Sequence, residues 1–343
     1  MPKKLRVVLY GVGEIGQRIA RLLLAREGVE IVGALDAAED KVGRDLGEVL
    51  GMGGRLGVTV SDDPDAVFSG AGADVAVHAT TSRLRDAYPQ IAKAMEHGVS
   101  VVSTCEELAY PYVVDARLAG ELDGLAKRRG VAVLGTGINP GFLMDALVIT
   151  LTAVCQEVER IRVIRVIDAA TRRAPFQRKI GAGLTVEDFR KSMQRGEITG
   201  HVGLTQSIAM IAAALGWELD GIEADPAEPV VTARRVRSEF VTAEPGRVAG
   251  LRQCARGLKG GAEAITLVFE AYMGAGEERD SILIEGTPSI RQEIVPCVQG
   301  DLGTAAIVVN SIPKVLNAPP GLKTMKDLPL PSAALGDMRR YVK

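Results

Sequence analysis

Residues 5–16 read Leu5-Arg6-Val7-Val8-Leu9-Tyr10-Gly11-Val12-Gly13-Glu14-Ile15-Gly16, and their reading decides the fold. The first half is a short apolar run, the pattern of a buried strand, and it passes straight into glycines spaced GxGxxG. From Glu14 to Arg26, residues Ile15, Ile19, Leu22 and Leu23 recur on one helical face. A second strand pattern, Glu30–Leu35, then ends on Asp36. Strand, glycine turn, helix and strand make a βαβ unit of the dinucleotide-binding kind. In it Gly11 permits the tight turn and Gly13 lets a pyrophosphate approach the backbone. Gly16 lets the helix pack on the strand, and Glu14 and Ile15 open the helix whose N-terminus faces the phosphates. Asp36 stands about twenty residues beyond the last glycine, where the fingerprint places a partner for a ribose 2′-hydroxyl. The expected cofactor is NAD, because a carboxylate repels a 2′-phosphate. Lys41 and Arg44 keep NADP open. No Gly-Lys-Ser/Thr follows the turn, which excludes a Walker-type loop.

Outward from this unit the alternation continues. Strand patterns at Val75–Thr80, Val99–Thr104 and Val131–Leu134 are separated by helical patterns at Leu84–His97 and Val113–Arg129, stopped by Gly98 and Gly130. Buried runs joined by helices imply a parallel sheet covered on both faces. Phe142–Val154 reads as a connecting helix, after which the style changes. Val158–Asp168 is a long strand, Thr185 with Asp188 forms a capping box, and His201–Leu215 is an apolar helix. Val230–Ala233, Gly246–Ala255, Ala264–Tyr272 and Ser281–Glu285 follow closely, the third alternating as half-buried antiparallel strands do. Asp301–Asn317 reads as an apolar helix broken near Pro313, with a proline-rich tail behind it. The expected fold is α/β: a Rossmann-like, doubly wound parallel sheet with a second α+β domain inserted before the C-terminal helix. The expected boundaries are 1–145 for the dinucleotide-binding domain, 146–299 for the substrate and dimerisation domain, and 300–343 for a helix and tail packing back on the first.

Composition narrows the function. The 343 residues carry a formal net charge of −2, which argues against nucleic acid or an anionic membrane surface as the main partner. No apolar run approaches the roughly 20 residues of a membrane span, and the N-terminus lacks a signal-peptide pattern. The four cysteines and three histidines are scattered, without C-x-x-C, so neither a metal site nor a disulfide framework is expected. These features point to a cytoplasmic enzyme.

The remaining candidates lie at the carboxyl ends of the later strands, where open α/β sheets bind ligands. Ala79, Thr80 and Thr81 follow one strand and suit ribose and nicotinamide. Cys105, Glu106 and Glu107 follow the next, and a carboxylate in a partly dry cleft can serve as acid and base. Asn139, Pro140 and Gly141 shape a loop after the last, with Phe142 as an apolar wall. In the second domain, Arg162, Arg165, Asp168, Arg173, Gln177, Lys179, His201 and Tyr272 are polar candidates around a substrate.

The blocks GVGEIG, HATTSRLRDAYPQI, STCEELAYP, GTGINPGFLMDAL, DAATRRAPFQRKIGAGL, GHVGL and TMKDLPLP together resemble the 2,4-diaminopentanoate dehydrogenase family, which includes native amine dehydrogenases. The resemblance covers most of the chain. It implies NAD(P)-linked oxidative deamination of an amine, or reductive amination of a ketone with ammonia, in a homodimer formed through the second domain. The family's active-site glutamate falls on the Glu106-Glu107 pair, with Glu106, nearer the strand end, preferred over Glu107. Dihydrodipicolinate reductase is similar in the nucleotide-binding domain alone, and its Lys-x-Asp-Ala-Pro-Ser-Gly stretch is missing here. A homoserine dehydrogenase-type oxidoreductase and a non-catalytic dinucleotide sensor stand as the alternatives.

Overall fold

The computed structural model describes residues 3–343. In chain order, β1 (Leu5–Tyr10), α1 (Glu14–Leu24), β2 (Val29–Leu35), α2 (Leu46–Val49), β3 (Val60–Ser61) and α3 (Pro64–Ala71) come first. Then follow β4 (Val75–His78), α4 (Leu84–Glu96), β5 (Ser100–Ser103), α5 (Ala116–Arg129) and β6 (Ala132–Gly135). The next segment holds α6 (Ala146–Thr152), β7 (Glu157–Asp168), α7 (Ala174–Lys179), α8 (Val186–Gln194) and α9 (Leu204–Leu215). It continues through β8 (Gly221–Ala224), β9 (Glu228–Val231), β10 (Val236–Arg237), β11 (Thr242–Ala243), β12 (Val248–Lys259), β13 (Ala262–Tyr272), β14 (Arg279–Thr287) and β15 (Ile290–Ile294). The chain ends with α10 (Gly300–Leu316) and β16 (Gly321–Lys323). Of the described residues, 3–142 and 299–343 form one compact unit, and residues 143–298 form the other.

The first unit is a seven-stranded sheet in the order β16-β6-β5-β4-β1-β2-β3, every pair parallel. Its strands are short and buried on both faces, which is why β4, β5 and β6 read as continuous apolar runs. The order reverses between β1 and β4, the switch point where such sheets open a crevice. Gly16, Ile19, Ala20 and Leu23 form the buried face of α1. On the other side, α4 and α5 cover Val8, Ala76, Val101 and Val133 with Leu84, Ile91, Met95, Leu118 and Leu122. α10 lies beside α1 and over β4, β5 and β6.

Pro313 does not break α10, contrary to the sequence reading. The helix runs on to Leu316, with Asn317 N–H donating to Pro313 O at 3.1 Å. A proline inside a helix removes one hydrogen bond and crowds the preceding turn. Here buried Val308, Ile312 and Val315 lie on both sides of it, and their packing carries the helix through. The helix expected from Val113 starts at Ala116, because Pro111–Val113 is a 3₁₀ turn and Asp115 caps Leu118 N–H.

The second unit is a mixed sheet in the order β15-β14-β7-β13-β12-β8, with β9 also paired to β12. β13 is antiparallel to β12, as its alternation suggests, but parallel to β7 on its other edge. Helices between β7 and the later strands make that crossover possible. α9 lies against one face, where a Cβ on Gly257 would stand 2.8 Å from Ile208. Thr185 caps α8 by accepting Asp188 N–H at 2.9 Å while its hydroxyl donates to the Asp188 carboxylate.

Candidate active site

The glycine turn has three different tasks. Gly11 has φ +101°, and a Cβ there would stand 2.5 Å from Ala79 O, so β1 and β4 close on each other at this point. A Cβ on Gly16 would stand 2.0 Å from Gly11 O, which seats α1 directly on the turn. Gly13 has open space around its Cβ position. It precedes Glu14, which is exposed, and Ile15, which is half-buried, at the N-terminus of α1. The cradle that a side chain at Gly13 would fill, at the N-terminus of α1, fits a pyrophosphate.

Beside it lies a cleft of about 330 Å³ lined by Tyr10, Gly11, Gly13, Asp36, Ser61, Thr80 and Gln90, among others. The Asp36 carboxylate accepts Val12 N–H at 2.7 Å, Ala38 N–H at 2.9 Å and the Lys41 ammonium at 3.1 Å. Burial alone would raise its pKa. Those donors outweigh burial and hold it below the ordinary carboxylate value, so it is an anion at neutral pH. Ala79 and Thr81 are half-buried and Thr80 is exposed along the same edge.

Cys105 opens a 3₁₀ turn, Glu106–Ala109, that leaves β5 across the end of β6. A Cβ on Gly135 would stand 2.4 Å from the Leu108 carbonyl carbon, so this glycine admits the turn. The turn is tied to the start of α4: Cys105 S–H and Glu107 N–H both donate to Ser82 O, at 3.3 and 3.2 Å. Glu107 Oε2 accepts Leu84 N–H at 2.7 Å, and Arg83 approaches the same carboxylate at 3.6 Å. Glu107 thereby caps α4, whose own N-cap residue, Arg83, supplies no side-chain bond. Glu106, one residue nearer the strand, is half-buried. Burial pushes the Cys105 thiol up to about 12, so it stays protonated at neutral pH.

The loop after β6 is shaped by backbone constraints. Gly141 has φ +128°, and its Cβ position lies 2.3 Å from Gly137 N. Pro140 follows a cis bond from Asn139, and Ile138 N–H donates to Thr304 Oγ1 of α10 at 3.4 Å. Asn139 and Phe142 remain half-buried.

The second unit treats its candidates unequally. Arg165, only 1% exposed, donates to Asp280 and to Val298 O. Gln177, 0% exposed, donates to Ala169 O and Arg172 O and accepts from Ser238. Both are structural ties, because their polar groups are already spent on buried partners. Asp168 caps Ala170 N–H and accepts Gly274 N–H, each at 2.9 Å. Arg173 and Tyr272 are half-buried, whereas Arg162 and Lys179 are exposed. His201 stacks on Phe269 with ring centroids 4.2 Å apart, and its backbone N–H donates to Gln253. Shielding from solvent lowers its pKa to about 3, helped by Lys179 and Arg165, so the ring is neutral. Sequence reasoning missed Tyr10, His78, Gln90 and Ser103. Tyr10, His78 and Ser103 are the last residues of β1, β4 and β5, and Gln90 reaches them from α4, an assembly that residue spacing does not announce.

The profile of the 2,4-diaminopentanoate dehydrogenase C-terminal domain matches residues 142–343. The chain belongs to the 2,4-diaminopentanoate dehydrogenase family. The profile of the dihydrodipicolinate reductase N-terminus matches residues 5–105, the βαβ region and its continuation. Among curated relatives, 2,4-diaminopentanoate dehydrogenase of Acetoanaerobium sticklandii is 39% identical, over 99% of this chain and 98% of that protein. An amine dehydrogenase of Streptomyces virginiae is 27% identical over 97% of this chain and 98% of its own length. Among solved structures, amine dehydrogenase from Mycobacterium smegmatis superposes with a TM-score of 0.85 at 30% identity, covering 97% of this chain and 99% of that one. No helix among the described residues is long and apolar enough to cross a membrane. Nor do three potential metal-ligating side chains gather anywhere among them.

Proposed function

We propose that this chain is an NAD(P)-dependent amine dehydrogenase, with Glu106 as its acid–base group. The carrying observation is the placement of the adjacent carboxylates where β5 ends: Glu107 turns to the start of α4 and caps it, and Glu106 stands one residue nearer the strand and is half-buried. A bound nicotinamide dinucleotide would supply or accept the hydride at the substrate carbon. The cradle of Gly11, Gly13 and Gly16 would hold its pyrophosphate, and Asp36 a ribose hydroxyl, with NAD favoured over NADP. Ala79, Thr80 and Thr81, with the Asn139-Pro140-Gly141 loop, complete the proposed cofactor contacts.

In the direction of amination, the Glu106 carboxylate takes a proton from ammonium, and the freed ammonia adds to the ketone carbonyl. Glu106 then returns that proton to the carbinolamine hydroxyl, which leaves as water. The carboxylate also stabilises the iminium that remains. In deamination the same group activates water and protonates departing ammonia. Phe142, Asp168, Arg173, His201 and Tyr272 are the proposed substrate-side residues. With Arg165 buried, Arg173 is the cation in this set that would meet a substrate carboxylate, as in a 2,4-diamino acid.

The active species is proposed to be a homodimer in the cytoplasm, and the four unpaired thiols suit a reducing compartment. The test is oxidation of NADH or NADPH with 2-amino-4-oxopentanoate or small ketones, with and without ammonia. Ammonia-dependent turnover with one of them is expected. Turnover indifferent to ammonia would mean reduction of the C=O bond to an alcohol instead.

A further inference from the structure

Tyr10, His78 and Ser103 close β1, β4 and β5, and they are register partners on neighbouring strands. His78 is 1% exposed and has no part in the chemistry proposed above. Its Nδ1 lies 2.8 Å from Ser103 Oγ, and its Nε2 lies 2.7 Å from Gln90 Oε1 and 2.8 Å from Thr80 Oγ1. Thr80 Oγ1 is itself 2.5 Å from Gln90 Oε1. The Tyr10 ring packs edge-on against the imidazole, centroids 5.6 Å apart.

Counting donors gives each bond a direction. Gln90 Oε1 can only accept, so both His78 Nε2–H and Thr80 O–H donate to it. With its proton on Nε2, a neutral imidazole accepts at Nδ1, where Ser103 O–H donates. Ser103 Oγ in turn accepts Cys105 N–H at 3.0 Å, at the head of the turn carrying Glu106. Burial keeps the ring neutral, lowering its pKa to about 4, which this pattern requires. At the far end, Thr80 has committed its proton to Gln90. Its exposed oxygen therefore meets the cleft as an acceptor.

We propose that His78, as its Nε2–H tautomer, is a positioning residue that presents Thr80 Oγ1 to the bound dinucleotide as a hydrogen-bond acceptor. The group it selects is a hydroxyl or amide N–H of the cofactor. This rests on the cleft at Tyr10, Asp36 and Thr80 being the dinucleotide site.

Two measurements test it, neither needing the amine substrate. In ¹⁵N-histidine spectra of the whole protein, assigned with His97→Gln and His201→Gln, His78 is expected as neutral Nε2–H throughout pH 6–8. In NADH fluorescence titrations, Thr80→Val and Gln90→Leu are expected to weaken binding about tenfold, the loss of one well-placed hydrogen bond. Thr80→Ser and Gln90→Glu, which keep the hydroxyl and the acceptor, should stay within about twofold. An Nδ1–H tautomer would overturn the proposal, since it puts the amide nitrogen of Gln90 opposite His78. So would Gln90→Glu as weak as Gln90→Leu, or Thr80→Val binding like wild type. A wild-type protein that binds neither NADH nor NADPH would overturn the cofactor reading itself.

Discussion

Glu107 accepts Leu84 N–H at 2.7 Å, so its charge serves the first turn of α4, and the acid–base role is proposed for its neighbour Glu106. Glu106→Gln keeps the size and removes the proton shuttle. It is expected to lower kcat for reductive amination about 10²-fold or more without changing the melting temperature. Glu107→Gln keeps an oxygen for Leu84 N–H, so turnover should fall only a few-fold, with about 1 kcal/mol or less of stability lost. Steady-state rates with ammonia, paired with thermal melts, separate the two, and an inverted result would transfer the acid–base role to Glu107. The glycine turn and Asp36 were legible in the sequence because their spacing is local. The pair Glu106-Glu107 was legible as a location, but that Glu107 caps α4 depends on Leu84, far away in the chain. The row of His78, Gln90 and Ser103 was not legible at all. It is assembled by strand register and one turn of α4, and nothing in the spacing of those residues announces it.

β7 and β14 are joined by a buried charge pair, whose arginine, Arg165, sequence reasoning had aimed at a substrate. Arg165 and Asp280 are register partners on the face that also carries Ile161, Val163, Ile282 and Ile284. Asp280 accepts Val298 N–H at 2.9 Å while Arg165 donates to Val298 O, so the pair clamps the segment that follows β15. An arginine in an alternating strand reads as solvent- or ligand-facing, and only the register shows that it points inward. Burial raises the Asp280 pKa, opposed by Arg165 and Val298 N–H. Arg165→Met leaves that carboxyl without its cation, and a loss of about 3–5 kcal/mol is expected in denaturant unfolding. Arg165→Met with Asp280→Leu should recover much of it, because a well-packed apolar pair avoids the desolvation penalty. Were Arg165 a substrate ligand instead, the single variant would raise KM at unchanged stability. α10 makes a similar point. Pro313 predicts a break by local rules, and buried packing on both sides overrules them.

Over the whole molecule, the lowered pKa values of His78 and His201 predict an acid limit, and the proposed homodimer calls for a face on which to form. The ordinary histidine pKa is 6.5, whereas His78 sits at about 4 and His201 at about 3 in the fold. Below pH 6.5 the unfolded chain therefore takes up protons that the folded chain refuses, and stability falls as pH drops from 6.5 towards 4. For His78 the full loss is on the order of 3 kcal/mol. Melting temperatures should be level above pH 7 and fall steeply towards pH 4.5, with a shallower fall in His78→Gln; a level profile down to pH 4.5 would contradict neutral burial. For the proposed homodimer, the second sheet offers a candidate face. α9 takes the face of Gly257, and the opposite face presents half-exposed Ile164, Cys254, Thr266 and Leu283. Ion pairs rim it: Arg252 with Glu270 at 3.0 Å and Arg160 with Glu285 at 3.8 Å. Exposed Arg162 lies between Thr266 and Leu283 in register, so the face mixes apolar side chains with both signs of charge, which a proposed two-fold contact between copies could pair. Sedimentation velocity at micromolar concentration should show a dimer. Ile164→Arg with Leu283→Arg would bury four like charges across that axis, so the variant should sediment as a folded monomer with unchanged circular dichroism. A variant that stays dimeric would move the interface to another surface, whereas a monomeric wild type would remove the dimer altogether.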